Sequence, residues 1–328
     1  VIAGFWSRIL ALLVDMALLA LVGIVIGAVA YRQVVALGQE GRLIGAAITL
    51  VYFGFFNSSL GGGATPGKRM LDLRVVGRDG NPIGLLRTLL RTFVFWTPYY
   101  LNGVTFRPIP GLQSGAATGI VVGILLAFVV FGGTGFILYL YIFNRRTRQS
   151  LHDLIAGTFV VRADSAGAPV RAHFWKGHLA FAMLACAAVA AMPIAFFLSF
   201  SGTQFATTMS KTAAIQSAVA AYPGVDTAQV TVNTFWASSF NGPSVTRTTL
   251  AVTVRMRDVP ASMDAAQDDI AEIVFKTAPT ILDQQYLQVS VAYGYDLGIF
   301  KWTNANGYVN IPEVWKRKLQ ARHVGDSV

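Results

Sequence analysis

Twenty-nine consecutive residues, Gly115–Phe143, carry no charge. A helix needs about 20 mostly apolar residues to cross a bilayer. This run exceeds that length, so it is expected to tilt or protrude. Four further runs read as spans: Ile9–Ala30, Leu43–Leu60, Ile83–Gly103 and Leu179–Phe200, the last with Pro193 as an expected kink. Charged residues make up 13% of the 328-residue chain and mean hydropathy is +0.54. Soluble domains carry about 25% charge, so this composition points to an integral membrane protein. Ala28-Val29-Ala30 mimics a signal-peptide cleavage site. The long apolar run before it and Asp15 within that run read instead as a span. The chain begins at Val1, and an initiator Met with a short tail is expected to precede it.

Charge sets the expected orientation. The net +10 lies wholly in Val1–Phe200, and Ser201–Val328 is neutral. Lys68, Arg69, Arg74 and Arg78 crowd the loop after the second run, and Arg145, Arg146 and Arg148 begin the loop after the fourth. Basic loops stay cytoplasmic. The expectation is five transmembrane helices in a bacterial cytoplasmic (inner) membrane, with the N-terminus inside. The expected domains are 1–177, a bundle with two basic loops; 178–200, an added span; and 201–328, an extracytoplasmic domain. A basic excess confined to apolar sequence argues against a nucleic-acid partner and for the lipid bilayer. Lys68, Arg69, Arg145, Arg146 and Arg148 are the residues expected to face lipid headgroups.

The tail has a different texture. Lys211–Ala221, Asp264–Thr277 and Pro312–Arg322 read as helices. Gln229–Trp236, Arg247–Arg257 and Tyr286–Tyr293 alternate as strands. The expected order is α-β-β-α-β, a small α+β domain with helices on one face of a three-stranded sheet. "FNGPSVTR" and "FKWTNANGYVN" read as polar, aromatic-bearing loops suited to an interface.

Gly62, Gly67 and Lys68 in "GGGATPGKRM" fit G-x-x-x-x-G-K, nearly a phosphate-binding loop. Arg69 stands where that loop needs Ser or Thr to hold Mg²⁺. Pro66 removes an amide donor, and Asp79-Gly80 is a hairpin signal. The stretch is expected to be a tight membrane exit followed by a β-hairpin rather than a helix, with no nucleotide bound. No nucleophile, base and orienter can be assembled, so no catalytic residue and no enzyme are expected. The lone Cys186 and four scattered His give no metal or cofactor site.

Three ordered segments carry a resemblance: "AGFWSRILALLVD" with Arg8 and Asp15, "GATPGKRMLDLRVVGRDG" followed by "LLRTLLR" with Arg87 and Arg91, and "NRRTRQSLHDLIAGTFVV" with Asp153. Over about residues 3–161 the chain resembles the RDD family of bacterial membrane proteins, named for one Arg and two Asp. Tyr99–Ser114 looks like an enlarged outer loop, and Leu179–Val328 adds a span and a domain.

Arg8 and Asp15 lie two helical turns apart on nearly one face. Asp15–Arg91 and Arg8–Asp153 are the expected pairs, with Arg87 also within reach of Asp15. Those pairs lock the bundle, or Asp15 binds a proton or small cation with Arg8, Arg91 and Asp153 tuning it. The second option is implied by the resemblance, since some RDD members are described as cation/proton antiporters. A third reading takes the neutral outer domain as a binding surface in a larger membrane protein complex or a homo-oligomer. The expected function is therefore an accessory or scaffold subunit, with transport as the alternative.

Overall fold

The first helix, α1 (Phe5–Val29), turns a face of Arg8, Ala11, Asp15, Leu19, Gly23 and Gly27 inward. Its exposed face is Leu10, Leu13, Leu18, Leu21, Val22, Ile24 and Val25. Polar groups and small residues inside with branched apolar residues outside is the pattern of a helix solvated by lipid. The computed structural model describes residues 1–104, 116–200, 204–237, 245–279 and 286–325. The chain divides into two compact units.

The first unit holds Val1–Ala28, Arg42–Leu198 and Leu297–Phe300. Short helix α2 (Tyr31–Ala36) follows α1 and belongs to the second unit. Then come α3 (Gly41–Phe56), α4 (Pro66–Met70), strand β1 (Leu73–Val76) and α5 (Leu85–Leu101). Next, α6 (Ala116–Ala127) runs through a π turn at Phe128–Gly132 into α7 (Gly133–Phe143). The unit closes with α8 (Leu151–Ala156), β2 (Phe159–Arg162) and α9 (Gly177–Phe200). Among the described residues, Phe5–Val29 and Val122–Phe143 are long and apolar enough to cross a membrane. Helices α3 and α5 have 16 and 17 residues, and α9 has a shorter apolar stretch, Gly177–Val189. Part of the expected enlarged loop, 105–114, lies outside the described residues.

The expected hairpin after the glycine run is not formed. Asp79-Gly80 does make a turn, with Gly77 N–H donating to the Asn81 carbonyl at 2.8 Å. The partner of β1 is β2, antiparallel, in the register Leu73↔Arg162 to Val76↔Phe159. Ala3 adds a bond from its N–H to the Val160 carbonyl, 2.9 Å. Burial explains the choice, because Val75, Val76, Val160 and Val161 are all buried. Pro66–Met70 is also a helix, against expectation. Thr65 caps it by accepting from the Lys68 N–H, and Pro66 sits in its first turn, where a missing N–H is harmless. Gly62 and Gly63 make the preceding turn at φ 74° and 76°, the left-handed region that glycine enters freely.

The second unit holds Val29–Gly41, Ser199–Asp296 and Lys301–Val328. Its elements are α10 (Gln204–Ala220), β3 (Val225–Ala237), β4 (Val245–Met256), α11 (Met263–Thr277), β5 (Tyr286–Asp296), β6 (Lys301–Asn310) and α12 (Pro312–Gly325). The sheet order is β3-β4-β5-β6, with β4 and β5 parallel. Leu250, Val252 and Val254 of β4 and Leu287, Val289 and Val291 of β5 point to one face. That face is covered by Ile215 and Val219 of α10, Ile270 and Val274 of α11, and Trp315 of α12. The expected three strands are therefore four. "KWTNANGYVN" was read as a loop because nothing in it alternates; as β6 it pairs along its length with β5 and stays exposed at nearly every position. Of "FNGPSVTR", residues 240–244 lie outside the described residues.

Trp315 is fully buried, and its Nε1–H donates to the Leu287 carbonyl at 2.9 Å. Trp315→Ala leaves a large cavity and an orphaned acceptor, and is expected to destabilise this unit by about 3–5 kcal/mol. Denaturant unfolding followed by far-UV circular dichroism measures it.

A buried charge cluster as the candidate functional site

Asp153 is the centre of the first unit's polar interior. It lies in the first turn of α8, fully buried. Ser150 and Asp153 form a capping box, which fixes the carboxylate's direction before any distant partner arrives. Arg8 Nη2 reaches Oδ2 at 2.5 Å. Arg91 donates to Oδ1 through Nε at 2.9 Å and lies 2.8 Å away through Nη2. The Thr158 hydroxyl donates to Oδ1 at 3.1 Å. Arg8 also donates to the Arg148 carbonyl and lies over the Tyr141 ring at 4.7 Å. Burial opposes the Asp153 anion, but the facing His152 imidazole, Arg91 and Arg8 outweigh it and hold the carboxyl well below the usual carboxylate range.

Asp15 is held by a separate set of donors. Tyr52 donates its hydroxyl to Oδ1 at 2.9 Å, Thr65 to Oδ2 at 2.5 Å, and the Gly67 N–H to Oδ1 at 2.8 Å. The expected Asp15–Arg91 pair is thus replaced: Arg91 goes to Asp153, and α4 comes to Asp15. Arg8 and Asp153 do meet. Arg87 stands apart from both carboxylates. It donates to the carbonyls of Ala156 at 2.9 Å and Gly157 at 3.0 Å, the common use of an arginine at a helix C-terminus.

Lys68, expected at lipid headgroups, is buried and donates through Nζ to Asn57 Oδ1. Short helix α4 turns it inward, while Arg69 stays exposed and closes the glycine turn onto the Gly61 carbonyl at 2.7 Å. Arg145, Arg146 and Arg148 have exposed side chains. Burial pushes the Lys68 ammonium well below the ordinary lysine range, with Arg91 adding to it and Asp15 opposing. His152 is likewise pushed well below the ordinary histidine value by burial, against the pull of Asp153. The sequence reading passed over Tyr52, Thr65 and Tyr141, and gave no site role to Asn57 or to His152, the neighbour of Asp153. Of these, Asn57 carried a signal as a lone amide in an apolar run.

Arg8, Asp15, Lys68, Arg91 and His152 line one cavity of about 40 Å³ with Phe53, Trp96 and Tyr141. The near-match to a nucleotide loop has a different use: the Gly67 amide is spent on Asp15 and the Lys68 amine on Asn57. Among the described residues, no group of three His, Cys, Asp or Glu could hold a metal ion.

The RDD family model matches residues 2–157, which contain Arg8, Asp15, Arg91 and Asp153. The N-terminal part of the chain belongs to the RDD family. The matched segment holds Arg8, Asp15, Lys68, Arg91 and Asp153 of the buried cluster, and its membrane character agrees with the two long apolar helices. No curated protein and no solved structure matches the chain.

Proposed function

We propose that the chain is a non-enzymatic, five-span protein of the cytoplasmic membrane. The RDD segment is its anchor, and the C-terminal α+β domain is extracytoplasmic and binds another membrane protein. Helices α1, α3, α5, α6–α7 and α9 are the five spans. Two observations support the side assignment. The basic loops favour the cytoplasm. Residues Val29–Gly41, which connect the first two spans, belong to the same unit as the α+β domain. Within that unit the Gln39 N–H donates to Asp226 Oδ2 at 3.0 Å.

The observation that carries the binding role is β6. It is an edge strand exposed at nearly every position, with Trp302 and Val309 40% and 52% exposed. Such an edge offers backbone donors and acceptors to an added strand. Arg145, Arg146 and Arg148 are its headgroup contacts in this reading.

Weighing the complex purified from its native membrane in mild detergent tests the proposal. A stoichiometric partner that is lost on Trp302→Ser with Val309→Ser supports it; a bare chain overturns it. Protease added to intact spheroplasts should cut within Lys211–Val328, and full protection would reverse the side assignment. A second reading, proton or small-cation transport, draws on the charged cavity. Asp15→Asn in proteoliposomes tests it, and unchanged flux sinks a carrier role for Asp15.

A further inference from the structure

The buried charges of the RDD segment do not balance. Around the charged cavity, the buried Lys and Arg side chains are Arg8, Lys68 and Arg91, and the buried carboxylates are Asp15 and Asp153. His152, buried as well, is held neutral. One positive charge is left over in a place where an uncompensated ion costs several kcal/mol. Arginine does not give up its proton in a protein, whereas a buried lysine does so readily. The excess can therefore be shed at Lys68.

A second observation lies in the same cavity. His152 is 2% exposed, and its Nδ1 is buried with no hydrogen-bond partner. The other ring nitrogen, Nε2, is 3.5 Å from Asp153 Oδ1. A carboxylate there selects the tautomer with its hydrogen on Nε2, which leaves a lone pair on Nδ1. Phe95 and Tyr141 pack against the ring, at 4.7 and 6.0 Å between centroids, so it is not free to turn. The lone pair disfavours an anion as occupant, and the surplus positive charge disfavours a metal cation. What fits both is a neutral donor. A cavity of about 40 Å³ exceeds the roughly 10–15 Å³ that a water needs.

We propose that this cavity is a proton-exchange site, with Lys68 as the group that holds and releases the proton and His152 Nδ1 as its water-bridged partner. In the loaded state the Lys68 ammonium donates to Asn57 and to the water, which donates to Nδ1. On release, Lys68 becomes an amine, the proton leaves to solvent as hydronium, and the cluster becomes neutral. Asp153, paired with Arg8 and Arg91, and Asp15, which accepts from Tyr52, Thr65 and the Gly67 amide, face the site as its carboxylates. The groups facing Lys68 are Arg8 and Asp15 of α1, Tyr52 of α3, Arg91 of α5, Tyr141 of α7, and His152 with Asp153 of α8. The inference stands apart from the assembly reading, since it concerns the RDD segment alone.

The test is a pH titration of the Lys68 Nζ resonance in full-length ¹⁵N-lysine-labelled protein in lipid nanodiscs, assigned by its loss in Lys68→Met. The expected proton affinity is at least about 100-fold below that of an ordinary lysine, whose pKa is about 10.4. His152→Phe should lower it further, by about threefold or more, because the loaded state loses its bridged acceptor. An ordinary lysine midpoint, or one unmoved by His152→Phe, overturns the proposal. Repeating the titration with gluconate for chloride should leave the midpoint unchanged. A midpoint raised by chloride would mean that an anion supplies the compensation, which also overturns it. Should Lys68→Met fail to fold, the wild-type protein still decides. In the window between the lowered folded-state value and the ordinary one, the unfolded chain binds more protons, so stability rises with pH. Flat stability across that window overturns the site.

Discussion

Asp153→Asn should remove most of the folded protein from the membrane fraction, with a loss of about 3–5 kcal/mol, the range for breaking a buried ion pair from one side. The change keeps shape and one acceptor but leaves Arg8 and Arg91 facing each other across a neutral amide. Both guanidiniums lie inside the unit, with side chains 4% and 9% exposed. Unfolding in detergent, followed by tryptophan fluorescence, reads the loss. Two controls separate charge from packing. Arg8→Gln in the Asp153→Asn background should recover part of the stability, because it removes one of the two orphaned cations. The pH profile gives the second. A depressed carboxyl contributes stability above its unfolded value and loses it as pH falls through the folded one. Wild type should therefore weaken in acid at this site, and Asp153→Asn should lack that component.

Gly67→Ala should be nearly as damaging, although it adds one methyl. A Cβ at this position would lie 2.2 Å from the Ala11 carbonyl oxygen and 2.9 Å from Asp15 Oδ1. The obstacle is the backbone of α1, which cannot rotate away, so α4 must lift. Overpacking costs about 1–3 kcal/mol. Lifting α4 also stretches the Gly67 N–H and Thr65 bonds to Asp15, each a hydrogen bond to a charged group worth about 1.5–3 kcal/mol. Gly84→Ala is the matched control, since nothing lies within 4 Å of a Cβ there. A melting temperature for Gly67→Ala equal to that of Gly84→Ala would show that α4 does not depend on this contact.

Much of the first unit was legible from charges in apolar runs. The membrane character followed from the apolar runs, Asp15 and Arg91 stood out as charges within expected spans, and Arg8 and Asp153 were singled out by the family resemblance. The partners were not legible. Arg91 and Asp15 have matching expected depths, but depth does not say which helix face meets which neighbour. The capping box aims Asp153 at the arginines, and α4 fills the space beside Asp15. Lys68 was assigned outward because a basic loop residue usually is; a five-residue helix, too short to show periodicity, turned it in. In the second unit, strands β3, β4 and β5 announced themselves through apolar alternation. Strand β6 did not, because eight of its ten side chains are exposed and it meets the core chiefly through Tyr308, so no apolar alternation marks it.

The pairing of β1 with β2 has a consequence for the order in which the protein can be made. Residues 73–76 find their partner at 159–162, and Arg8 finds its carboxylate at position 153. Both closures join segments distant in sequence, the kind that come late in folding. During synthesis the N-terminal half must wait in or beside the bilayer with Arg8 and Arg91 unmatched until the ribosome has passed Asp153. Nascent chains arrested before that codon should be readily cleared by membrane proteases, and chains arrested far enough beyond Arg162 for it to have left the exit tunnel should abruptly become resistant.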